Sequence, residues 1–286
     1  MTAIKRLGIV GSGIMGSGVA EVAAKAGIEV VLRSRQQATA NAMVQALDKS
    51  LAKQVEKGKL EATERDQIAS RVTATTDLHA LKECDLVLES VVEDLDVKRD
   101  LFRHLDVVVK DDAILATNTS TLPVVELAIV TERPDRVCGI HFFNPAPMMS
   151  LVEVVRPLTA SDETIADARA FAEACGKQPV EVKDRAGFIV NALLFPYLNN
   201  AVRMLENGTA SRDDIDAAMK GGCNFPMGPL ALLDLVGLDT SLAILDALYD
   251  EFRDPNYAAM PLLRRMVTAG QLGRKSSIGF YDYRKQ

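Results

Sequence analysis

The sequence predicts an α/β half built on a mostly parallel sheet, followed by an all-helical half. Three observations carry this reading. A glycine-rich turn, Gly11-Ser12-Gly13-Ile14-Met15-Gly16, joins an apolar strand to a helical stretch. Short β-rich runs then alternate with helical patterns as far as Lys183, the rhythm of strands linked by helical crossovers. After Asp184 no credible strand occurs until the last residues.

The first strand is the apolar run Leu7–Val10, and the helix that follows runs from Ile14 to Ala26, with Gly27 as its C-cap. Glu29–Leu32 reads as the second strand, which completes a βαβ unit. A long helix from Gln36 to about Lys57 follows, with Ala42, Met43, Ala46, Leu47 and Leu51 at helical spacing. Further strands are expected at Val72–Thr75, Asp85–Glu89, Ala113–Thr117, Arg136–Ile140, Leu151–Val155 and Gln178–Lys183. Gly187 to Glu206 is one long amphipathic pattern interrupted by Pro196, a residue able to kink it. Asn207-Gly208 ends it, and Ser211 with Asp214 makes a capping-box-like start for the next helix. Helical patterns continue through Pro229–Val236, Thr240–Phe252 and Pro261–Ala269. The expected boundary lies between residues 184 and 185, with domains at 1–184 and 185–286.

Composition narrows the function. At 286 residues, 48% hydrophobic and 25% charged, the chain matches soluble globular proteins and is long enough to bury a core without metal or disulfide support. Its 33 basic residues are outnumbered by 39 acidic ones, for a net charge of −6, which disfavours a nucleic-acid-gripping role. The four cysteines, Cys84, Cys138, Cys175 and Cys223, are far apart and contain no CxxC pair. They read as buried reduced thiols, not as a metal site or disulfide framework. The apolar run near Met1 is too short for a secretory signal, and no run reaches the ~18 residues of a membrane span. A cytoplasmic location without membrane contact is the expectation.

The glycine pattern is weak by itself but stands in the strand–turn–helix context that its physics needs. Gly11 permits a tight turn, Gly13 lets a pyrophosphate approach the backbone, and Gly16 lets helix and strand pack closely. With Ile14 and Met15 opening the helix, its N-terminal amides and dipole favour a phosphate. This identifies a Rossmann-type dinucleotide site; a tight turn that holds no ligand is the bland alternative. The acidic residue that normally ends the second strand is missing, since the strand continues Arg33-Ser34-Arg35. Two guanidinium groups beside a hydroxyl suit the 2′-phosphate of NADP. Equally, both arginines are read as solvated surface charges, with NAD bound without the carboxylate contact.

His141 follows the apolar run Val137–Ile140, and polar residues at the carboxyl ends of such strands are placed for ligand chemistry. Glu153, twelve residues on, is the single charge within Leu151–Val155, and a carboxylate there needs a partner such as an imidazole. A catalytic pair, a structural pair and two unrelated residues all remain open on spacing alone. His79 and His104 lie in polar helical surroundings and read as surface residues. Thr117-Asn118-Thr119-Ser120 follows another strand, either as a polar site or as a turn that caps the helix near Pro123. Asn191, inside an apolar helical stretch, is either a buried hydrogen-bonding amide or a substrate contact.

Taken together these residues resemble the L-3-hydroxyacyl-CoA dehydrogenase family, most closely its short 3-hydroxybutyryl-CoA members. The likeness runs from about Lys5 to Tyr283. Its marks are the glycine turn, Glu89-x-x-x-Glu93 with Lys98, Asn118-Thr119-Ser120, His141-Phe-Phe-Asn144-Pro145, Leu151-Val-Glu153, Gly187-Phe-Ile-Val-Asn191 and Pro226-Met-Gly-Pro229. The resemblance implies hydride transfer between a 3-hydroxyacyl-CoA and NAD or NADP, with His141 as general base, oriented by Glu153. It implies that Ser120 and Asn191 hold the reacting end of the substrate. Glu93, Lys98, Asn144 and Lys275 match positions that contact the nicotinamide half. Ser50 and Lys57 match positions associated with coenzyme A, in a stretch made basic by Lys49, Lys53 and Lys59. The helical domain would supply substrate contacts and the interface of a homodimer.

Two departures stand out. NAD-using relatives generally carry Asp where Ser34 stands, and Gly273-Arg274-Lys275-Ser276-Ser277-Ile278-Gly279-Phe280 lacks a glycine that the family usually has. The rival functions are a dehydrogenase of a free hydroxy acid or sugar acid, and a non-catalytic dinucleotide-binding protein on the same scaffold.

Overall fold

The computed structural model describes residues 3–284. Its contacts divide the chain into two compact units, which meet at Asp184 and Arg185.

The first unit contains β1 (Arg6–Val10), α1 (Ile14–Lys25), β2 (Glu29–Arg33), α2 (Gln37–Glu56), α3 (Ala62–Ser70), β3 (Val72–Thr75) and β4 (Leu86–Glu89). These are followed by α4 (Leu95–Val108), β5 (Ile114–Thr117), α5 (Val125–Ala128), β6 (Val137–Phe142), β7 (Leu151–Arg156), α6 (Asp162–Ala174) and β8 (Gln178–Lys183). The eight strands form one sheet in the order β3-β2-β1-β4-β5-β6-β7-β8. All pairs are parallel except β6 with β7. β4 and β5 are buried along their whole length, as expected of parallel strands covered on both faces. Chain order reverses between β1 and β4, and that switch point is where an open α/β sheet forms its ligand crevice.

Helices are seated by their apolar stripes. α2 buries Ala40, Met43, Leu47 and Leu51, which recur every three or four residues, and the last three join a core shared with α1, α6 and the sheet. α1 differs at its start: Gly13 is its N-cap, with no side-chain cap and no acidic residue in the first turn. Its leading amides are thus left to a ligand.

The second unit is helical, with α7 (Val190–Glu206), α8 (Arg212–Cys223), α9 (Pro229–Val236), α10 (Leu238–Phe252) and α11 (Pro261–Thr268). α7 begins later than its pattern indicates, because Gly187 and Phe188 take positive φ values of 73° and 50° that no α-helix continues through. Ser211 caps α8 by accepting from the Asp214 amide at 3.2 Å. Asp216 receives the first amides of α9, Leu230 at 2.8 Å and Ala231 at 3.0 Å, together with the Tyr281 hydroxyl at 2.8 Å. Asp234 receives the Phe280 and Tyr281 amides at 2.9 and 2.8 Å, which ties the chain end onto the helices. Ser277, where the family's glycine is missing, holds φ at +60°. A side chain is accepted there at the usual cost of a left-handed residue, about 1–2 kcal/mol.

Candidate active site

The site grows from the carboxyl edge of the sheet. At the β1–α1 turn, Gly11 has φ +137°, and a Cβ there would lie 2.1 Å from the Ser90 carbonyl oxygen, so only glycine fits. A Cβ on Gly13 would meet nothing within 4 Å, leaving open space in front of the bare N-terminus of α1. A cleft of about 780 Å³ opens from this turn, lined by Gly11, Gly13, Arg33, Ser34, Arg35 and His104 among others. This volume and this donor set fit a dinucleotide, with the pyrophosphate at the turn and the adenosine end over β2. The Ser34 hydroxyl is engaged with the Thr39 hydroxyl, and the Thr39 hydroxyl also donates to the Gln36 carbonyl at 2.8 Å. Arg33 is half-buried and Arg35 exposed. His104 does reach the surface, yet it also lines this cleft, which its polar helical context did not indicate.

A second cluster lies where β4 and β5 end. Glu89 and Lys98 are both fully buried, and the Lys98 ammonium sits 2.8 and 2.9 Å from the two Glu89 oxygens. Glu89 also accepts from the Val91 amide at 2.5 Å and the Thr117 hydroxyl at 2.7 Å. Lys98 reaches Glu93 at 3.1 Å, whose side chain is still 38% exposed. Glu93 in turn accepts from the Thr119 hydroxyl and, at 3.0 Å, from the Ser120 amide. Burial raises the Glu93 carboxyl, but the Lys98 charge and these donors outweigh it and hold it below its ordinary value. Asn118 adds a link to the next strand, accepting from the Phe142 amide at 2.8 Å.

His141 lies inside β6, not beyond its end, because the strand continues through Phe142. Antiparallel pairing puts it directly opposite Glu153 on β7. His141 Nδ1 and Glu153 Oε2 are 2.7 Å apart, and both side chains are buried. A carboxylate on Nδ1 selects the tautomer with its proton there, which directs proton exchange to Nε2. The Phe143 ring packs on the imidazole at 4.5 Å between centroids.

After Asn144 and Pro145 the chain turns, and here the structure adds a residue outside the sequence expectations. Lys177 donates to the Ala146 and Met149 carbonyls at 2.7 and 2.8 Å, pinning the loop that follows His141. Burial and the nearby Lys25 charge lower its ammonium below the ordinary lysine value. Its position just before β8 offers no local motif.

Other expected residues fall elsewhere. Ser50 donates to Glu21 at 2.7 Å, in a polar cluster with Lys25 and Gln54 between α1 and α2. Lys57 is exposed at the end of α2. Ser120 does not cap α5; the amides of Val124 and Val125 donate to Asp184 at 2.9 and 2.8 Å instead. In the second unit, Asn191 is buried in the first turn of α7, and Lys275 pairs with Asp239. Cys84, Cys138 and Cys175 are buried, with burial pushing the thiols up to about 11, 12 and 12, whereas Cys223 is exposed.

Comparison with known proteins covers both units. Residues 6–185 match the family model for the 3-hydroxyacyl-CoA dehydrogenase NAD binding domain, and residues 187–283 match the C-terminal domain of the same family. The chain is 49% identical over 280 residues to a 3-hydroxybutyryl-CoA dehydrogenase of Clostridioides difficile, covering 98% of this chain and 100% of that one. It is 40% identical to a mitochondrial hydroxyacyl-coenzyme A dehydrogenase of Sus scrofa, covering 98% and 92%. Among solved structures it resembles FadB2 of M. tuberculosis, with a TM-score of 0.96, 50% identity and coverage of 99% and 100%. It also resembles the (S)-3-hydroxybutyryl-CoA dehydrogenase PaaH1 of Ralstonia eutropha, with a TM-score of 0.96, 43% identity and coverage of 98% and 99%. With both of its units matched in order, the chain belongs to the 3-hydroxyacyl-CoA dehydrogenase family.

Proposed function

We propose that the chain interconverts (S)-3-hydroxyacyl-CoA and 3-ketoacyl-CoA, with 3-hydroxybutyryl-CoA and acetoacetyl-CoA as the favoured pair. The buried His141–Glu153 contact of 2.7 Å is the observation that carries this reading. A bound nicotinamide would supply the acceptor for the hydride that leaves the substrate C3. His141 takes the hydroxyl proton as that carbon becomes a ketone, and returns it in the reverse direction. Glu153 keeps the imidazole in the required tautomer and stabilises its charged form. Ser120 and Asn191 hold the reacting oxygen and thioester end. The Ser120 backbone amide donates a hydrogen bond to Glu93, which orients the residue. The relatives named above support a coenzyme A substrate over a free hydroxy or sugar acid.

On the cofactor side, Gly11, Gly13, Ile14, Met15 and Gly16 hold the pyrophosphate, while Glu93, Lys98, Asn144 and Lys275 serve the nicotinamide half. NADP is our choice over NAD. Arg33, Arg35 and His104 line the cleft, and no carboxylate is among its described lining residues. Ser50 and Lys57 are proposed for coenzyme A; because Ser50 already donates to Glu21, it would offer the ligand lone pairs. A homodimer formed through the second unit is supported by its exposed apolar residues, including Leu193, Phe225 and Leu235. A reducing, cytoplasmic setting agrees with four free cysteines. No described helix is long and apolar enough to cross a membrane.

The test follows nicotinamide absorbance with acetoacetyl-CoA and with free acetoacetate, using NADH and NADPH in turn. Turnover of the thioester, faster with NADPH, is expected. Turnover of the free acid alone would replace this function with the hydroxy-acid reading, and none with any pair would leave only dinucleotide binding.

A further inference from the structure

Glu89 has no place in the mechanism above, yet it is heavily hydrogen-bonded at the carboxyl edge. It is fully buried at the end of β4 and accepts four hydrogen bonds from three groups: two from Lys98, one from the Val91 amide and one from the Thr117 hydroxyl. Both its oxygens only accept, which is the pattern of an ionised carboxylate. Glu89 alone therefore suffices to match the Lys98 charge, although Glu93 shares the same ammonium. Glu93, on the same ammonium at 3.1 Å, is left as the excess charge of the cluster. One ammonium and two carboxylates sum to a net charge of minus one, placed at its partly exposed member.

Resting on the dinucleotide reading of the cleft, position matters as well. With the pyrophosphate at the β1–α1 turn and the adenosine end over β2, the other half of the cofactor falls across the switch point, over β4 and β5. That is where this cluster sits. The nicotinamide ring is a cation when oxidised and neutral when reduced.

We propose that Glu89 is a positioning residue that, by neutralising Lys98, leaves a fixed negative charge beside the nicotinamide ring, so that the site binds the oxidised cofactor preferentially over what its shape alone would give. An arrangement that only held the fold would treat the two redox forms alike. A charge cannot, because it acts on the ring cation and has no counterpart in the neutral ring.

The experiment is calorimetric titration of the protein with the oxidised and the reduced form of the same cofactor, for the wild type, Glu89→Gln and Thr117→Val. Glu89→Gln keeps the shape and removes one charge, leaving Lys98 to neutralise Glu93. The ratio of oxidised to reduced affinity is expected to fall roughly threefold to tenfold, the range for a unit charge acting through a partly hydrated site. Thr117→Val removes a hydrogen bond to Glu89 without changing charge, and should leave that ratio within about twofold. An unchanged or higher ratio in folded Glu89→Gln overturns the proposal, as does an equal fall in Thr117→Val. If Glu89→Gln does not fold, Glu93→Gln carries the same test, since it removes the partly exposed charge: a lower ratio supports the proposal and an unchanged one overturns it. A wild type that binds neither redox form would instead overturn the dinucleotide reading on which this rests.

Discussion

The two flanks of the sheet's carboxyl edge handle charge in opposite ways. Over β4 to β7 the ionisable groups are mostly buried and paired, Glu89 with Lys98 and His141 with Glu153, with Glu93 partly exposed beside them. Past β2, Arg33 and Arg35 line an open cleft together with His104 of α4, and no carboxylate is among its described lining residues. Burying an ion is costly unless its partner is fixed, so the buried flank can hold only one geometry, which is what proton and hydride transfer need. Exposed cations are cheap, adjustable and screened by salt, which suits selecting a phosphorylated ligand more than performing chemistry on it. The difference teaches where to look for each property: rate on the paired flank, coenzyme choice on the unpaired one.

If this division is right, substitutions on the two flanks should separate cleanly. The largest effect is expected from His141→Gln, with kcat for acetoacetyl-CoA reduction falling on the order of 10²–10⁴-fold while the dissociation constant for reduced cofactor stays within about twofold. Near-normal turnover would remove His141 from the proton transfer. Next is Glu153→Gln, which keeps the shape but lets the imidazole take the wrong tautomer; kcat should fall about 10²-fold. Thermal unfolding should show a loss of stability too, because a buried charge-assisted hydrogen bond is weakened.

The open flank should give smaller, selective effects. Ser34→Asp places a carboxylate where a 2′-phosphate would sit and where a ribose hydroxyl could be met. The ratio of NADPH to NADH in kcat/KM should fall about tenfold with little change in kcat. A wild type that strongly prefers NADH would break this side of the comparison. The smallest effect belongs to Arg35→Ala: a few-fold weaker binding of NADPH, with a flatter dependence on salt, measured by titration at two ionic strengths. Equal weakening of NADH would reduce Arg35 to a solvated surface charge.

Legibility from sequence follows the same physical lines. All eight strands were legible: apolar runs marked the buried inner ones, because buried strands admit little else, while the edge strands β3 and β8 showed only as short β-rich segments. The His141–Glu153 contact was within reach, since antiparallel β6 and β7 place residues twelve apart opposite each other. The contacts of the charge cluster were not, although the resemblance marks Glu89, Glu93 and Lys98. Glu89 and Thr117 are 28 positions apart and meet only because β4 and β5 run in parallel, a register that no local pattern encodes. Lys98 is marked by the family resemblance, but nothing in its helical spacing shows that the fold buries it against Glu89. His104 was hidden for the complementary reason: it is exposed, as its neighbours indicate, but exposed into the cleft.

The separation of the two flanks is tested most directly by a double-mutant cycle on His141→Gln and Ser34→Asp, reading calorimetric affinities for NADPH and NADH and the rate of acetoacetyl-CoA reduction in all four proteins. The account predicts that Ser34→Asp shifts the cofactor affinity ratio by the same factor, within about twofold, whether or not His141 is present. It also predicts that the rate lost with His141 is the same with either reduced cofactor. A cofactor ratio that changes when His141 alone is replaced, or a rate loss that depends on which cofactor is used, would contradict it.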